Sequence, residues 1–200
     1  MRIFLDVGAY TGDTAKAVLS SKHYFDKIYC FEPQIELCEM IREINNSKIT
    51  VCEYGLWNKT CGSRLYWTNR KNGATIYKNK FIKKADSEIK SLDGKFVKAS
   101  DWFRDNLKYD DYVVMKINCE GAECDILDDL FESGEYKKLN ALMVDFDVRK
   151  IPTETHREQE IREKLKMYKI PSLITVEKED IANPDFKKGK WTNYWMDKIL

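Results

Sequence analysis

The sequence is poor in the features that mark several classes of protein. No apolar run approaches the roughly 20 residues that a membrane-spanning helix needs, and the N-terminus meets an acid at Asp6, unlike a secretory signal. There are only two histidines, and none of the six cysteines forms a C-x-x-C pair, which argues against a zinc site. We therefore expect a cytoplasmic protein with free thiols that does not act at a membrane.

A strong charge of one sign is also missing. The 34 basic and 33 acidic residues give a formal net charge of +1, so no overall field draws the chain toward nucleic acid. Hydrophobic residues make up 43% of the 200 positions, which is enough for the core of one domain. We predict a single domain over residues 1–200 that binds no nucleic acid. The composition favours no particular oligomeric state.

Short apolar runs alternate with helical patterns along the chain, which is typical of an α/β fold. These patterns predict a Rossmann-like, mostly parallel sheet with helices on both faces. The predicted strands are residues 2–7, 27–31, 49–53, 63–68, 97–100, 111–118, 141–146, 172–176 and 191–196.

The segment Asp6-Val7-Gly8-Ala9-Tyr10-Thr11-Gly12, called the glycine turn below, joins the first predicted strand to a helix. Gly8 permits a tight turn and close approach of a ligand to the backbone. Gly12 lets the helix begin near the strand, and the first turn of that helix offers unpaired N–H groups. The turn therefore predicts a ligand site, although similar turns also occur where nothing binds.

Glu32 ends the second predicted strand, 20 residues after Gly12. An acid at this place accepts hydrogen bonds from the ribose hydroxyls of an adenosine-containing cofactor. The alternative is that Glu32, followed by Pro33, is an acid that favours the start of a helix. The dinucleotide pattern G-x-G-x-x-G needs glycine where Tyr10 stands, and a tyrosine would crowd a pyrophosphate. Adenosylmethionine carries no phosphate, so the turn favours methyl transfer over NAD chemistry.

Three stretches together carry a resemblance to a known family. They are Asp6-Val7-Gly8-Ala9-Tyr10-Thr11-Gly12-Asp13-Thr14, Phe31-Glu32-Pro33, and Lys116-Ile117-Asn118-Cys119-Glu120-Gly121-Ala122-Glu123. In order and spacing they resemble the signatures D-V-G-A-N-x-G-D-T, F-E-P and K-I-D-x-E-G-x-E of FkbM-family methyltransferases, over about the first 145 residues. The resemblance implies a class I methyltransferase fold with a seven-stranded sheet, S-adenosyl-L-methionine as cofactor, and O-methylation of a sugar, glycan or polyketide-type acceptor.

The resemblance also implies which residues bind the cofactor: Asp6, Gly8, Ala9, Tyr10, Thr11, Gly12, Asp13, Thr14, Phe31, Glu32, Pro33 and Asn118. The chain departs from the family at two of these positions, with Tyr10 in place of asparagine and Asn118 in place of aspartate. It also begins almost on the first strand and lacks the N-terminal helices that often cover the cofactor. We expect either that another part of the chain covers the site or that this is one domain of a longer protein.

Polar side chains follow two neighbouring predicted strands. Lys116, Asn118 and Glu120 come at the end of one strand, and Asp145 after the next. The carboxyl ends of parallel strands meet at one edge of the sheet, so we expect these groups to form the catalytic site. In this hypothesis Asn118 positions the cofactor or acceptor, Glu120 or Asp145 is the general base, and Lys116 sets the pKa of a nearby carboxylate.

Two alternatives concern the same acidic residues. One is structural, with Glu123 paired to Lys116 and Asp147 capping a turn. The other is a metal site, because Glu120, Asp145 and Asp147 offer the hard oxygen ligands that Mg²⁺ or Mn²⁺ prefers, and such an ion could lower the pKa of a sugar hydroxyl.

The acceptor site is less evident in the sequence. Aromatic side chains that could stack on a sugar ring, but that more commonly pack in a core, are Trp57, Tyr66, Trp67, Trp191, Tyr194 and Trp195. A basic stretch over residues 78–84 could meet an anionic acceptor or form a solvated face. The leading hypothesis is an O-methyltransferase acting on a sugar or glycan hydroxyl. The alternatives are an NAD-type oxidoreductase and a non-catalytic binding domain in which Asn118 marks lost chemistry.

Overall fold

The computed structural model describes residues 1–68, 73–82, 88–177, 180 and 196–198. Its strands are β1 (Arg2–Val7), β2 (Lys27–Phe31), β3 (Ile49–Cys52), β4 (Gly55–Trp57), β5 (Cys61–Trp67), β6 (Lys90–Lys98), β7 (Tyr112–Ile117), β8 (Leu139–Val144) and β9 (Ser172–Thr175). Its α-helices are α1 (Asp13–Ser20), α2 (Ile35–Arg42), α3 (Ala99–Asn106), α4 (Glu123–Ser133) and α5 (Arg157–Tyr168).

The central sheet has the strand order β3-β2-β1-β7-β8-β9. Every neighbouring pair in it is parallel. The strands of a parallel sheet are buried on both faces, which explains why they are almost continuously apolar in sequence. The prediction of an α/β, Rossmann-like, mostly parallel sheet is confirmed.

The helices cover both faces of this sheet, also as predicted. Alternate residues of each strand point to opposite faces, and the buried core divides accordingly into two clusters. One cluster joins Leu5 of β1 to Leu127 of α4 and Ile161 of α5. The other joins Phe4 of β1 to Val18 of α1.

The described residues form six strands of this sheet, where seven were expected. The predicted strand at residues 191–196 lies outside the described residues except for Met196, which is helical. Most of the predicted strand at 63–68 and the first two residues of the one at 97–100 belong instead to a separate three-stranded sheet with the order β4-β6-β5, called the inserted sheet below. Ala99 and Ser100, predicted as strand, begin α3. β5 and β6 are antiparallel and alternate buried with exposed residues, so they have one solvated face.

The inserted sheet is formed by residues that lie between β3 and β7 in the sequence. β3 is an edge strand of the central sheet, and β7 lies in the middle of that sheet. Within the described part of the chain, all six cysteines are free thiols. No described helix is long and apolar enough to cross a membrane.

Candidate functional site

A pocket of about 600 Å³ opens at the carboxyl ends of β1, β2 and β7. Strand order changes direction here, because β1 lies between β2 and β7, and such switch points are where open α/β sheets bind ligands. Polar groups reach the pocket from the glycine turn, from Glu32 and Gln34 after β2, and from Asn118 and Glu120 after β7.

The inserted sheet supplies the opposite, apolar wall. Leu56, Leu65 and Phe96 line the pocket from its three strands, and Ile76 lines it from residues 73–82, called the roof segment below. The wall lies directly beside Pro33, since a Cβ on Gly94 of β6 would stand 3.3 Å from Pro33 Cβ. The chain therefore covers this pocket with a sheet formed by its middle segment.

Gly8 lets the glycine turn touch the end of β7. Its φ of +78° lies in the left-handed region that only glycine adopts readily. A Cβ at this position would stand 2.0 Å from the carbonyl oxygen of Asn118, far inside van der Waals contact. Glycine is therefore needed at position 8 mainly because the glycine turn and the loop after β7 approach each other so closely. These two loops form the floor of the pocket.

Gly12 has a different role from the one predicted. A Cβ there would meet Ile44 Cδ1 at 2.7 Å and Ile41 Cγ1 at 3.3 Å, so the glycine lets α1 begin close to the end of α2. It occupies the cap position of α1 in the left-handed conformation, with φ +80°.

Not all of the predicted turn residues reach the ligand pocket. Gly8 and Tyr10 line it, together with the predicted Phe31, Glu32, Pro33 and Asn118. Ala9 and Thr14 are buried. Asp13 is exposed and pairs with Lys16, and the hydroxyl of Thr11 donates to Asp13 over 3.1 Å. The glycine turn thus faces the pocket mainly through its backbone and through the Tyr10 side chain.

Glu32 is a buried carboxylate at the wall of the pocket. Its Oε2 accepts a hydrogen bond from the Tyr10 backbone N–H, and its Oε1 accepts one from the Gln34 N–H, both over 3.0 Å. Burial raises the pKa of Glu32 to about 7, against the opposing effect of these N–H donors. A carboxylate has about four acceptor positions, so Glu32 can hold the turn in place and still accept hydrogen bonds from a ligand.

Lys116 lies behind the glycine turn and does not itself line the pocket. Its Nζ is 2.9 Å from Asp6 Oδ1 and also donates to the carbonyl oxygen of Gly8 over 2.8 Å. Both side chains are buried, and burial raises the pKa of Asp6 while the Lys116 charge opposes that rise. The pair therefore ties the end of β1 to β7 and orients the Gly8 carbonyl.

Glu123 binds backbone N–H groups, while the carboxylate that pairs with Lys116 is that of Asp6. The Oε1 of Glu123 accepts hydrogen bonds from the backbone N–H groups of Cys119 (3.1 Å) and Gly121 (2.9 Å), and its Oε2 accepts one from Val148 (3.3 Å). Burial, reinforced by the charge of Asp147, raises the pKa of Glu123 to about 8. Glu123 thus fixes the loop after β7 to the segment after β8.

Glu120 lines the pocket and joins a partly buried group of alternating charges. Lys80, from the roof segment, forms an ion pair with it. Burial, followed by the neighbouring charge of Asp147 and a hydrogen bond to it, raises the pKa of Glu120. Burial would also raise the pKa of Asp147, but the hydrogen bond from Glu120 and the charge of Lys150, 2.6 Å away, lower it. The predicted turn-capping role for Asp147 is replaced by these pairings.

Among the described residues, no group of three acidic, histidine or cysteine side chains is arranged to hold a metal ion. Glu120 and Asp147 are instead neutralised by lysines of the chain. Lys80 was within the basic stretch recognised in the sequence, but nothing in that stretch distinguished it from its neighbours. Its role depends on a fold that brings residues 80 and 120 together.

Asp145 and Asn118 are neighbours at the ends of β8 and β7. Asn118 Nδ2 donates to Asp145 Oδ2 over 3.4 Å. Burial and the charge of Asp147 raise the pKa of Asp145 to about 6. Asn118 lines the pocket and Asp145 does not, so of the two predicted bases Glu120 is the one that faces a ligand there.

The aromatic residues predicted for the acceptor have other contacts. The Trp57 indole N–H donates to Asp125 over 2.7 Å, and its ring packs on Phe96. Trp67 is buried, and Tyr66 pairs through its backbone with Thr75. Trp191, Tyr194 and Trp195 lie outside the described residues. The aromatic side chains that do line the pocket are Tyr10, Phe31 and Phe96.

The described residues form a Rossmann-like α/β fold with a pocket at the switch point of its sheet. No family model matches the chain, and no curated protein matches it. A search of solved structures finds a likeness to a crystal structure described as methyltransferase FkbM from Methylobacillus flagellatus KT, with 16% identity and a TM-score of 0.41. The match covers 66% of this chain and 29% of that one.

Proposed function

We propose that this protein is an S-adenosyl-L-methionine-dependent O-methyltransferase that acts on a sugar or glycan hydroxyl. The observation that carries the proposal is the pairing of Glu32 with Tyr10 across the pocket wall. Glu32 follows the last residue of β2, where an acid accepts hydrogen bonds from the ribose hydroxyls of an adenosine ligand. Tyr10 stands where the dinucleotide pattern needs a glycine, which favours an adenosine ligand without phosphates.

Each residue of the site has a definite part in this proposal. Bound adenosylmethionine supplies an electrophilic methyl group on a sulfonium. Glu32 accepts the ribose hydroxyls, and Asn118 orients the ligand at the end of β7. Glu120 accepts the proton of the acceptor hydroxyl as general base, while Lys116 acts through the turn that it supports. Asp145 holds the Asn118 amide through their hydrogen bond.

Methyl transfer to sugars is tested by incubation with labelled adenosylmethionine and a panel of sugars that each lack one hydroxyl. We expect label to enter the acceptors that retain one particular hydroxyl and to be absent from those that lack it. Saturable binding of adenosylmethionine without label in any acceptor would contradict the proposed activity and favour a non-catalytic binding domain.

Replacing Glu32 with glutamine is expected to weaken adenosine binding by about 1–3 kcal/mol, the range for a hydrogen bond to a charged group. Because the substitution also disturbs the two backbone N–H groups that Glu32 holds, the ribose contact must be isolated with a pair of ligands. Calorimetry with adenosine and 2′,3′-dideoxyadenosine does this. Wild-type protein should prefer adenosine, and Glu32→Gln should bind the two alike. An unchanged preference in the variant would remove the ribose role.

The unliganded protein is expected to be more stable near about pH 5.5 than near about pH 8.5, by about 1–3 kcal/mol. Burial raises the pKa of Glu32 to about 7 and that of Glu123 to about 8. The folded state therefore holds these protons more tightly than the unfolded state. Their stabilisation is complete below the ordinary glutamate pKa and is lost as the pH rises through 7–8. Urea unfolding across this window measures it, and a rise in stability toward alkaline pH would contradict it.

A further inference from the structure

Asp125 is a buried carboxylate in the first turn of α4, and it does not itself line the pocket. Its Oδ2 accepts hydrogen bonds from the indole N–H of Trp57 over 2.7 Å and from the hydroxyl of Tyr77 over 2.5 Å. Its Oδ1 accepts one from the guanidinium of Arg157. These donors belong to three parts of the chain, which are the end of β4, the roof segment and the start of α5. One carboxylate therefore joins all three to α4.

Two of these donors belong to the inserted sheet and the roof segment, which are together called the cover below. Trp57 directly follows Leu56, and Tyr77 directly follows Ile76. Leu56 and Ile76 both line the pocket. Both donors reach the same oxygen atom of Asp125. Because α4 directly follows the loop after β7, Asp125 links the cover to the floor of the pocket.

The Tyr77 ring also packs against the loop after β7. A Cβ on Gly121 of that loop would stand 3.3 Å from Tyr77 Cδ2, so the glycine leaves room for the ring. Burial, followed by the hydrogen bond to Asp125, raises the pKa of Tyr77 well above its usual value. The phenol therefore stays protonated near neutral pH and remains a hydrogen-bond donor to the carboxylate.

Two further side chains of the roof segment make polar contacts with the rest of the domain. Asn79 Nδ2 donates to Thr153 Oγ1 over 2.6 Å, and Lys80 forms an ion pair with Glu120. Each of these contacts attaches the roof segment alone. Asp125 differs from them because it holds the roof segment and the inserted sheet at one atom. A change at Asp125 therefore affects both parts of the cover at once.

We propose that Asp125 is a positioning residue that holds the cover in place over bound adenosylmethionine and so slows the release of that ligand. The carboxylate acts through Trp57 and Tyr77, the two residues of the cover that it binds. Movement of the cover away from α4 breaks both hydrogen bonds, and hydrogen bonds to a charged group are stronger than those between neutral groups. The proposal rests on the function proposed above, because adenosylmethionine is the ligand that the cover retains.

The test measures how fast labelled adenosylmethionine leaves the protein after an excess of unlabelled ligand is added. Tyr77→Phe removes one donor to Asp125 and keeps the ring that packs against Gly121. We expect it to raise the dissociation rate about tenfold, the effect of one lost hydrogen bond to a charged group. Asp125→Asn should raise the rate at least as much, because an amide cannot accept hydrogen bonds on both of its sides.

Asp128→Asn is the matched control. Asp128 lies on the same helix and pairs with the same Arg157, over 2.9 Å, and also with Lys164. The substitution removes a carboxylate from the contact between α4 and α5 but leaves the hydrogen bonds to the cover in place, so the dissociation rate should not change. Hydrogen exchange of residues 73–82 checks the cause. It should be faster in Tyr77→Phe and in Asp125→Asn, and unchanged in the control.

The possible failures point to different conclusions. An unchanged dissociation rate in both Tyr77→Phe and Asp125→Asn overturns the positioning role and leaves the proposed function intact. An equal acceleration in Asp128→Asn also overturns that role, because the effect would then follow from the contact between α4 and α5. Failure of wild-type protein to bind adenosylmethionine overturns the proposed function itself, and the positioning role with it.

Discussion

Gly8→Ala is expected to abolish binding of adenosylmethionine and to lower the free energy of unfolding by about 3–5 kcal/mol. The added Cβ would stand 2.0 Å from the Asn118 carbonyl oxygen, and that oxygen belongs to backbone, which cannot rotate away. The alanine must also adopt a φ of +78°. Either the glycine turn or the loop after β7 has to move, and both form the floor of the pocket.

Gly134→Ala separates the two causes of this loss, which are the steric clash of the added Cβ and the strain of a positive φ. Gly134 has nearly the same φ, +81°, but a Cβ there would meet nothing within 4 Å. This control should cost only the conformational strain, about 1–2 kcal/mol, and should leave ligand affinity unchanged. Urea unfolding and calorimetry on both variants make the comparison. If Gly8→Ala were no more harmful than Gly134→Ala, the close approach of the two loops would not matter to the site.

Lys116→Met is expected to destabilise the protein by about 3–5 kcal/mol, because it leaves the fully buried Asp6 carboxylate without its cation. Methionine fills the space of the lysine stem, so the loss reports on charge and not on a cavity. Ligand binding should weaken as well, since the Gly8 carbonyl loses its donor.

The double variant Asp6→Asn with Lys116→Met supplies the control. Removal of both charges should restore much of the lost stability, because a neutral pair has no uncompensated charge to bury. A double-mutant cycle measures the coupling. Additive losses in the double variant would show that the pair does not act as a unit.

Much of the fold could be predicted from local sequence patterns. The strands at β1, β2, β7 and β8 are nearly continuous apolar runs, and burial on both faces of a parallel sheet leaves that pattern in the sequence. The inserted sheet was harder to predict. β6 begins at Lys90, well before the predicted strand, because its pairing with β5 depends on a partner distant in sequence and not on its own composition.

Some residues of the site could likewise be predicted from the sequence, and others could not. Glu32 and the glycine turn could be predicted because their spacing follows from the geometry of one β-α-β unit. The contacts of Lys116 could not be predicted in this way. Its partner Asp6 is 110 residues away in the sequence, and Glu123 is an acidic residue that could equally have been its partner. The ion pair of Lys80 with Glu120 likewise depends on where the roof segment lies. The residues that line the pocket are brought together by the tertiary fold, and no local sequence pattern indicates that they meet.

The most direct test of this account is calorimetric titration of the protein with adenosylmethionine, supported by thermal unfolding with and without the ligand. The account predicts saturable binding at one site per chain and a raised melting temperature. It also predicts that Gly8→Ala abolishes the binding and that Glu32→Gln weakens it. Absence of both heat and thermal shift with wild-type protein at millimolar ligand would contradict the central claim that this pocket binds adenosylmethionine.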